Sequence, residues 1–467
     1  MAALRQDAAG AHAVGDAQTV AITNVTVIDA TGAPAQPDMT VVVLGDRIAS
    51  LGSSRQVPVP RGARVVDGAG KFLIPGLWDM HVHTYDPSWL ALFLANGVTG
   101  MRVMKGVSDH HRWRQDIHQG TLLGPRMVIA SNLIDGPDPI WPGSVAVSDE
   151  ADARRAVQEA VKKGADFVKV YSLLPRPAFF ALVDEARKHA IPFAGHVPDA
   201  VTPTEASDAG MRSIEHLTGI VVATSTRAAQ IDAETGRIGR TKDAHSQRKS
   251  LELQAARSYH HQLAQTLFGC FARNQTWQVP TLTVLRSISW IGEAHRGEDE
   301  RLRYVAPELA QSWQQRLQAP RGSPELADQQ ELFRHYLRIV GAMNHAGVGI
   351  LAGTDALNPF CFPGFSLHDE LELLVQAGLS PMQALQAATR NPARYVNDLD
   401  QAGTITQGKR ADLVLLDADP LADIRNTRRI NAVIASGELL PRDRLDAMLS
   451  GVEALQSPAG AGTVPKP

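Results

Sequence analysis

The stretch IPGLWDMHVH, residues 74–83, decides the fold of this chain. Its apolar run leads through Asp79 to two histidines that lie two positions apart. Because residues two apart on a β-strand share one face, His81 and His83 are predicted to project from the same side of the strand end. Such a pair can bind one metal ion. Pairs at this spacing also occur by chance in many proteins, so the interpretation depends on the rest of the chain.

Apolar strand-like runs alternate with helical stretches on the C-terminal side of this motif. This alternation is typical of repeated βα units, whose functional residues gather at the C-terminal ends of the strands. The runs predicted as barrel strands are residues 73–83, 97–104, 126–131, 166–172, 192–197, 213–217, 277–282 and 349–356. We therefore predict an α/β fold in which a (β/α)8 TIM barrel spans residues 72–402.

A second, smaller domain is predicted from the two ends of the chain. Residues 19–71 contain strand-like runs such as VAITNVTVID, and residues 403–450 contain similar runs such as INAVIASGELL. Apolar runs broken by Gly and Asp are typical of short strands joined by turns. We expect the two segments to form one β-sandwich, followed by a disordered tail over residues 451–467.

Composition restricts the partners of the protein. The chain has 467 residues and a net charge of −3, so it lacks the concentrated basic character of proteins that bind nucleic acid or anionic membranes. Cys270 and Cys361 cannot form a disulfide framework and are interpreted as packing residues. We expect a cytoplasmic homo-oligomer that acts on a small molecule. A mature secreted form without its signal peptide is the alternative.

Lys169 lies in the apolar run FVKVY, residues 167–171. An unpaired ammonium buried there would lose its hydration at a large free-energy cost. In one interpretation, the lysine reaches the strand end or pairs with an acid. In the other, burial lowers its pKa, the amine reacts with carbon dioxide, and the resulting carbamate bridges two cations.

Three more residues end strand-like runs farther along the chain: His196 in PFAGH, His216 in SIEH and Asp355 in GILAGTD. The intervals from Lys169 to His196 and on to His216 match single βα repeats. These side chains are therefore predicted at equivalent heights on successive strands. Each histidine alone is more often a packed core residue, and Asp355 could instead cap the next helix.

Taken together, these residues would supply four imidazoles, one carboxylate and one carbamate. Nitrogen and oxygen ligands of this kind suit borderline divalent ions, with Zn²⁺ as the best candidate. One ion can activate water near neutral pH while a second polarises a carbonyl group. A carboxylate such as Asp355 can also accept a proton from the activated water.

At these positions the sequence resembles the amidohydrolase superfamily, and within it the imidazolonepropionase-like, prolidase-like branch. The resemblance covers residues 20 to 440 approximately. It is carried by IPGLWDMHVH, FVKVY, GHVPDA, SIEH, AGTDA and GTITQGKRADLVLLDADPLADI. It implies that His81, His83 and Asp355 hold the more buried of two metal ions.

The resemblance further implies that His196 and His216 hold the more exposed ion and that carboxylated Lys169 bridges the two. Asp355 would move a proton from the bridging hydroxide to the leaving group. Members of this branch that carry the lysine often cleave dipeptides or N-acyl amino acids, including ochratoxin-like amides. Imidazolonepropionases and deaminases use a single metal, so Lys169 argues against those activities.

The leading hypothesis is hydrolysis of an amide C–N bond in a small dipeptide-like or N-acyl amino acid substrate. The same centre could instead hydrolyse an ester, a lactone or a phosphotriester. A third alternative, from a different class, is a non-catalytic binding scaffold that retains the barrel. The filled ligand positions disfavour this last alternative.

Two residues are candidates for substrate contacts. Tyr171 should face the same interior as Lys169, where its phenol could contact a substrate carboxylate or an oxyanion, or pack against the neighbouring strand. Arg102 could clamp a substrate carboxylate, or it could pair with a structural acid. The loop with Trp141 could form an apolar wall, and residues 224–275 are either a solvated helical excursion or a lid over the substrate.

Overall fold

The structure, a computed structural model, describes residues 19–238, 244–290, 298–316 and 324–456. The strands in chain order are β1 Thr19–Val27, β2 Gln36–Leu44, β3 Arg47–Ser53, β4 Arg64–Asp67, β5 Phe72–Pro75, β6 Leu77–Val82, β7 Val98–Val103, β8 Arg126–Asp135, β9 Val145–Ala146, β10 Phe167–Val170, β11 Phe193–Gly195, β12 Ser213–Glu215, β13 Trp277–Val279, β14 Leu413–Leu416, β15 Ile430–Ala435 and β16 Glu438–Pro441.

Helices follow most of the barrel strands. In chain order they are α1 Leu90–Ala95, α2 Ser108–His118, α3 Glu150–Lys162, α4 Arg176–Lys188, α5 Pro203–Asp208, α6 Ile220–Ala223, α7 Ala228–Thr235, α8 Ala244–Arg257, α9 His261–Asn274, α10 Leu282–Ser289, α11 Pro307–Arg316, α12 Pro324–His345, α13 Phe365–Gln376, α14 Pro381–Ala387, α15 Arg390–Tyr395 and α16 Arg442–Gln456. None of the helices in the described ranges has the length and apolar character needed to cross a bilayer.

A parallel sheet forms the barrel. Its strands β6, β7, β8, β10, β11, β12 and β13 each pair with the next along the chain, and β9 pairs with β8. Every residue of β6 and β7 is buried. Burial on both faces is expected of parallel strands that lie between a filled barrel interior and an outer layer of helices.

Residues 349–356 close the barrel between β13 and β6. The backbone nitrogen of Leu351 donates to the carbonyl of Gln278 at 2.9 Å, and that of Met80 donates to the carbonyl of Ala352 at 2.9 Å. The predicted eighth strand therefore occupies its expected place, although it pairs through isolated parallel bridges rather than as a continuous strand. The segment brings Asp355 to the barrel mouth.

The two ends of the chain meet in a second sheet. Its strands lie in the order β16, β15, β14, β5, β1, β2, β3, with β4 also beside β1, and most pairs are antiparallel. Antiparallel pairing of β14 with β5 joins the C-terminal half to the N-terminal half. This sheet has a core of its own, to which Val20, Val41, Leu413 and Ile434 belong. The predicted fold class, a (β/α)8 barrel with a small β domain from both chain ends, is confirmed.

Helix α16 changes the predicted C-terminal boundary. Because α16 extends through Gln456, residues 451–456 are helical and do not belong to the predicted disordered tail. Leu445 and Val452 on this helix are buried, as expected for apolar residues one heptad apart on a packed face. The rest of the predicted tail, residues 457–467, lies outside the described residues.

Candidate metal centre

The C-terminal ends of the barrel strands bring the predicted metal ligands to one mouth of the barrel. This is the end at which TIM-barrel enzymes carry their active sites. The six predicted ligands, all of which line one cavity of about 1770 Å³, are His81, His83, Lys169, His196, His216 and Asp355. Residues far apart in sequence therefore share one site.

Asp355 lies among several imidazoles. Its Oδ1 is 3.2 Å from Nε2 of His83 and 3.5 Å from Nε2 of His81, and its Oδ2 is 3.8 Å from Nδ1 of His216. Ligand atoms of His81, His216 and Asp355 all lie within 4.8 Å of one another. The ring of His196 lies beside that of His216, with 4.9 Å between their centroids. This spacing allows a small cation to contact imidazole and carboxylate together.

Several site residues have left-handed backbone conformations. The φ angle is 57° at His216, 59° at Asp355 and 48° at Thr281. For residues other than glycine such angles cost about 1–3 kcal/mol and persist only where the surroundings hold them. Here the backbone nitrogen of His216 donates to the carbonyl of Val279 at 3.0 Å, and that of Asp355 donates to the carbonyl of His81 at 2.8 Å. The strained backbone conformations are therefore found at residues of the candidate metal centre itself.

Each of two histidines is held by a hydroxyl on its Nδ1. Nδ1 of His196 lies 2.8 Å from Oγ of Ser172, and Nδ1 of His216 lies 2.7 Å from Oγ1 of Thr281. Hydrogen bonds of this kind orient the rings of metal-binding histidines and fix their tautomer. Burial lowers the pKa of His196 well below its ordinary value and that of His216 to about 4. Both rings are therefore neutral at pH 7, which is the form that binds metals.

Lys169 is buried at the centre of the site, with 1% of its surface exposed. Burial lowers the pKa of its amine to about 8, although the negative charges of Glu215 and Asp355 act in the opposite direction. None of the carboxylates in the described ranges forms an ion pair with it within 4.0 Å. The neutral amine, the form that reacts with carbon dioxide, is therefore a larger fraction near neutral pH than in an ordinary lysine.

Arg102 lies beneath the site. It is fully buried, and its Nη2 donates to both oxygens of Glu215 at 2.8 and 2.9 Å. Nη1 donates to Oγ of Ser213 at 2.9 Å and to the hydroxyl of Tyr395 at 2.8 Å, and Nε donates to the carbonyl of Met80 at 2.6 Å. We call Arg102, Ser213, Glu215 and Tyr395 the floor cluster. The prediction that Arg102 clamps a substrate carboxylate is contradicted, because its donors are used inside the barrel; it pairs with a structural acid instead.

Glu215 connects the floor cluster to the metal centre. Its Oε2 lies 2.7 Å from Nδ1 of His81, which donates to the carboxylate and leaves Nε2 facing Asp355. A carboxylate behind a ligand histidine orients the ring and makes it a better donor to a metal. The sequence analysis missed Glu215. The sequence feature that could have indicated Glu215 is its position directly before His216 at the end of a predicted strand.

Asp79, the first polar residue of the opening motif, fixes the closing segment to β6. Its Oδ1 accepts hydrogen bonds from the backbone nitrogens of His81 at 3.2 Å and Thr354 at 3.0 Å. Its Oδ2 accepts from Oγ1 of Thr354 at 2.6 Å. Burial raises the pKa of Asp79 to about 7. These contacts set the position of Asp355 relative to His81.

Glu370 on α13 holds another part of the site in place. Its carboxylate accepts hydrogen bonds from the backbone nitrogens of Leu282 at 3.0 Å and Thr283 at 2.7 Å, at the start of α10. A carboxylate at this place satisfies amide groups that the helix leaves unpaired. Because Thr281 directly precedes these residues and contacts His216, Glu370 fixes the turn that orients that histidine.

Tyr171 lines the cavity as predicted, and its ring stacks on that of His196 with 4.0 Å between centroids. Its hydroxyl oxygen accepts a hydrogen bond from Nε1 of Trp141 at 2.7 Å. Burial raises the pKa of Tyr171 above its ordinary value, so the phenol remains protonated. The phenolic hydrogen is available to a ligand in the cavity.

The segment predicted as an excursion or a lid also reaches the cavity. Ile231 of α7 and Arg248 and Leu251 of α8 line it. Arg248 forms an ion pair with Asp199 in the loop after His196. This part of the chain therefore forms one wall of the cavity, while residues 239–243 lie outside the described residues.

The donor set fits divalent cations. Neutral imidazoles and a carboxylate converge at the barrel mouth, and this is the ligand chemistry that Zn²⁺ and similar ions prefer. Nδ1 of His83 is buried without a hydrogen-bond partner among the described residues. Nε2, the other nitrogen of this ring, lies 3.2 Å from Oδ1 of Asp355 and is the atom that faces the candidate metal position.

The model of the amidohydrolase family matches residues 72–440, and the chain belongs to this family. Ochratoxinase of Aspergillus niger is 24% identical, over 84% of this chain and 80% of that enzyme. Adenine deaminase 2 of Rhizobium meliloti (strain 1021) is 34% identical over 135 residues, but these cover 29% of this chain and 20% of the deaminase. The chain therefore matches only about a fifth of that relative's length. The predicted family is confirmed.

Solved structures show the same architecture. A bottromycin amidohydrolase superposes with a TM-score of 0.76 at 27% identity, covering 94% of this chain and 91% of that one. A Xaa-Pro dipeptidase with bound methionine in its active site superposes with a TM-score of 0.64 at 19% identity, covering 91% of this chain and 100% of that one. The second likeness is one of fold alone.

Proposed function

We propose that this protein is a metal-dependent hydrolase that cleaves the amide C–N bond of a small dipeptide-like or N-acyl amino acid substrate, including ochratoxin-like amides. The observation that carries the proposal is the convergence of His81, His216 and Asp355 within 4.8 Å at the mouth of a large cavity. Relatives named ochratoxinase and bottromycin amidohydrolase support an amide as the substrate.

In this proposal the centre holds two divalent ions, with Zn²⁺ as the best-suited metal. One ion is assigned to His81, His83 and Asp355, and the other to His196 and His216. Lys169, whose neutral amine would add carbon dioxide and release one proton to form a carbamate, would help to hold both ions. The burial of Lys169 and the absence of an ion-paired carboxylate among the described residues support this assignment.

Bound divalent ions would supply water that is acidic enough to attack near neutral pH, and a Lewis acid for the carbonyl group. The protein's own residues account for the proton transfers and the orientation. Asp355 would accept a proton from the attacking water and deliver it to the nitrogen of the leaving amine. Glu215 would keep the ring of His81 in position through its contact with Nδ1.

Tyr171 is proposed to donate its phenolic hydrogen to the oxygen of the scissile carbonyl. Its hydroxyl oxygen already accepts a hydrogen bond from Trp141, so the direction of its own donation is constrained. A fixed donor of this kind stabilises the negative charge that develops on the carbonyl oxygen during attack. Stacking on His196 holds the ring beside the metal ligands.

A hydrolysis assay with the full chain tests this function. The protein would be loaded with Zn²⁺, Co²⁺ or Mn²⁺ and given N-acyl amino acids with a range of acyl groups and side chains, and release of the free amino acid would be measured. We expect turnover that is lost on chelation, and a kcat about 10²- to 10⁴-fold lower in Asp355→Asn. Asp184→Asn, an exposed change on α4, serves as the matched control and should retain full activity.

Esters, lactones and phosphotriesters are the competing substrates, because activated water can attack them as well. Matched amide and ester substrates with the same acyl group, together with a phosphotriester, would separate the alternatives. Turnover of phosphotriesters or esters without any amide turnover would contradict the proposed function and indicate an esterase or phosphotriesterase instead. Protein that binds no metal under any condition would instead indicate a non-catalytic scaffold.

A further inference from the structure

The cavity contains several cationic side chains, and most of them are neutralised. Arg176 pairs with Glu205 at 2.6 Å, and Lys249 pairs with Glu252 at 2.7 Å. Arg248, as described above, pairs with Asp199. Lysine and arginine side chains that already face a carboxylate contribute little to attracting a substrate anion.

Lys105 differs from these residues. It lines the cavity and is half-buried, and its Nζ donates to the backbone carbonyl of Pro142 at 3.0 Å. Within the described ranges no ion pair joins Lys105 to a carboxylate within 4.0 Å, whereas Arg176, Arg248 and Lys249 have one each. An ammonium carries three hydrogens for donation, so two remain for a ligand.

Lys105 lies next to the metal centre. The backbone nitrogen of Met104 donates to the carbonyl of Val82 at 3.0 Å, so the backbones of Lys105 and His83 follow each other closely just beyond the ends of β7 and β6. Neighbouring strands are separated by about 4.8 Å. An anion bound to Lys105 would therefore lie in the cavity that the candidate metal ligands also line.

The loop that accepts the Lys105 hydrogen bond carries apolar side chains at the cavity entrance. Ile140 and Trp141 are each 49% exposed, and Tyr85, which also lines the cavity, is 52% exposed. We call Tyr85, Ile140 and Trp141 the apolar rim. Large apolar side chains that are exposed together around a cavity mark sites where the apolar part of a ligand is buried.

The cavity volume also bears on the size of the ligand. Pockets for small molecules are usually roughly 300–1,000 Å³. This cavity, at about 1770 Å³, exceeds that range. It has room for a bulky apolar group in addition to the carboxylate and the scissile bond.

We propose that Lys105 binds the free carboxylate of the substrate and that the apolar rim receives its bulky apolar group. The substrate class is then an amide whose leaving amino acid keeps a free carboxylate and which carries a large aromatic or aliphatic group. This inference rests on the proposed function and names the substrate class of that same site. Lys105 is thus a specificity-determining residue, in the role that Arg102 cannot perform.

The alternative role for Lys105 is support of the loop through Pro142. The two roles predict different responses to a change in the ligand. If Lys105 binds a carboxylate, its replacement weakens only ligands that have the carboxylate. If it supports the loop, replacement weakens ligands with and without the carboxylate to the same extent.

Binding measurements on the zinc-loaded full chain test the inference independently of turnover. The probe is the ketone analogue of N-benzoyl-L-phenylalanine in which a CH2 group replaces the amide NH, and its partner is the same compound with a carboxamide in place of the carboxylate. Calorimetry should show the wild type binding the acid about 10- to 100-fold more tightly than the carboxamide. Lys105→Gln should abolish this preference by weakening the acid alone.

Two variants serve as controls. Lys105→Arg should retain most of the preference for the acid, and Arg176→Gln, which removes a cation that is already paired, should leave the acid-to-carboxamide ratio unchanged. Equal binding of the two compounds by the wild type, equal weakening of both in Lys105→Gln, or no binding of either would overturn the inference. A retained acid preference without hydrolysis of any N-acyl amino acid would instead contradict the proposed function alone.

Discussion

The floor cluster is buried beneath the candidate metal centre, whereas the apolar rim lines the cavity above it, and the two are built in opposite ways. In the floor cluster Glu215 accepts hydrogen bonds from Arg102 at 2.8 Å and from Ser213 at 2.6 Å, and all four residues of the cluster are buried. At the rim, Ile140 and Trp141 are about half exposed, at 49% each. In the proposed function the floor cluster holds the candidate ligand His81 in place, whereas the exposed rim is the part assigned to the substrate.

Two cations on and just after β7 make the contrast specific. Arg102, within the strand, faces the barrel interior, and its guanidinium donates hydrogen bonds to Glu215, Ser213 and Tyr395. Lys105, three positions later and beyond the strand end, lies in the cavity without a carboxylate partner in the described part of the chain. The cation within the strand therefore pairs with a buried carboxylate inside the barrel, whereas the cation beyond the strand end reaches the cavity.

The largest effect on stability is expected from a change in the floor cluster. Glu215→Gln removes the charge that faces Arg102 and leaves a buried guanidinium without its counter-ion. The loss of a buried partner of this kind costs about 3–5 kcal/mol. We expect the free energy of unfolding to fall by that amount in urea denaturation.

Glu331→Gln provides the matched comparison for this prediction. Glu331 pairs with Arg257 at 2.7 Å, but both side chains are about half exposed. Loss of an exposed pair should cost less than about 1 kcal/mol. Equal destabilisation by the two substitutions would show that the floor cluster does not differ from an ordinary surface ion pair.

A smaller effect, on substrate binding rather than stability, is expected at the rim. Trp141→Ala removes apolar contact area and the hydrogen bond to Tyr171. We expect KM for substrates with bulky apolar groups to rise about tenfold, which corresponds to about 1.4 kcal/mol of lost binding, while the unfolding free energy changes little. Steady-state kinetics with a bulky and a small N-acyl amino acid would measure this.

The matched substrate gives this prediction its control. KM for N-acetylglycine, which has no bulky group, should stay nearly unchanged in Trp141→Ala. A fall in kcat with an unchanged KM for both substrates would contradict the assignment of Trp141 to substrate binding, and would indicate that its hydrogen bond to Tyr171 acts in the chemical step.

The sequence predicted the barrel and the convergence of the six candidate ligand residues at one mouth because both follow from local patterns. Apolar runs define the strands, and the ligand residues end them, so that His81 and Asp355 could be placed at one mouth without knowledge of any contact. Burial of Lys169 was also predictable, since its flanking residues are apolar.

The partners of these residues could not be predicted in the same way. Arg102 and Glu215 meet across strands that are 113 residues apart in sequence, and nothing local to either residue indicates the pair. Lys105 was not singled out, because its significance depends on which cavity cations are already neutralised. Likewise, the role of Glu370 depends on where α13 packs against the start of α10.

The most direct test of the central claim is the metal content of purified wild type and Lys169→Ala after equilibration with Zn²⁺ in buffer that contains carbon dioxide. Elemental analysis should give two equivalents of metal per chain for the wild type, and one for the variant together with loss of most amide hydrolysis. Lys105→Gln should keep both equivalents. Unchanged metal content with full turnover in Lys169→Ala would contradict the two-metal account.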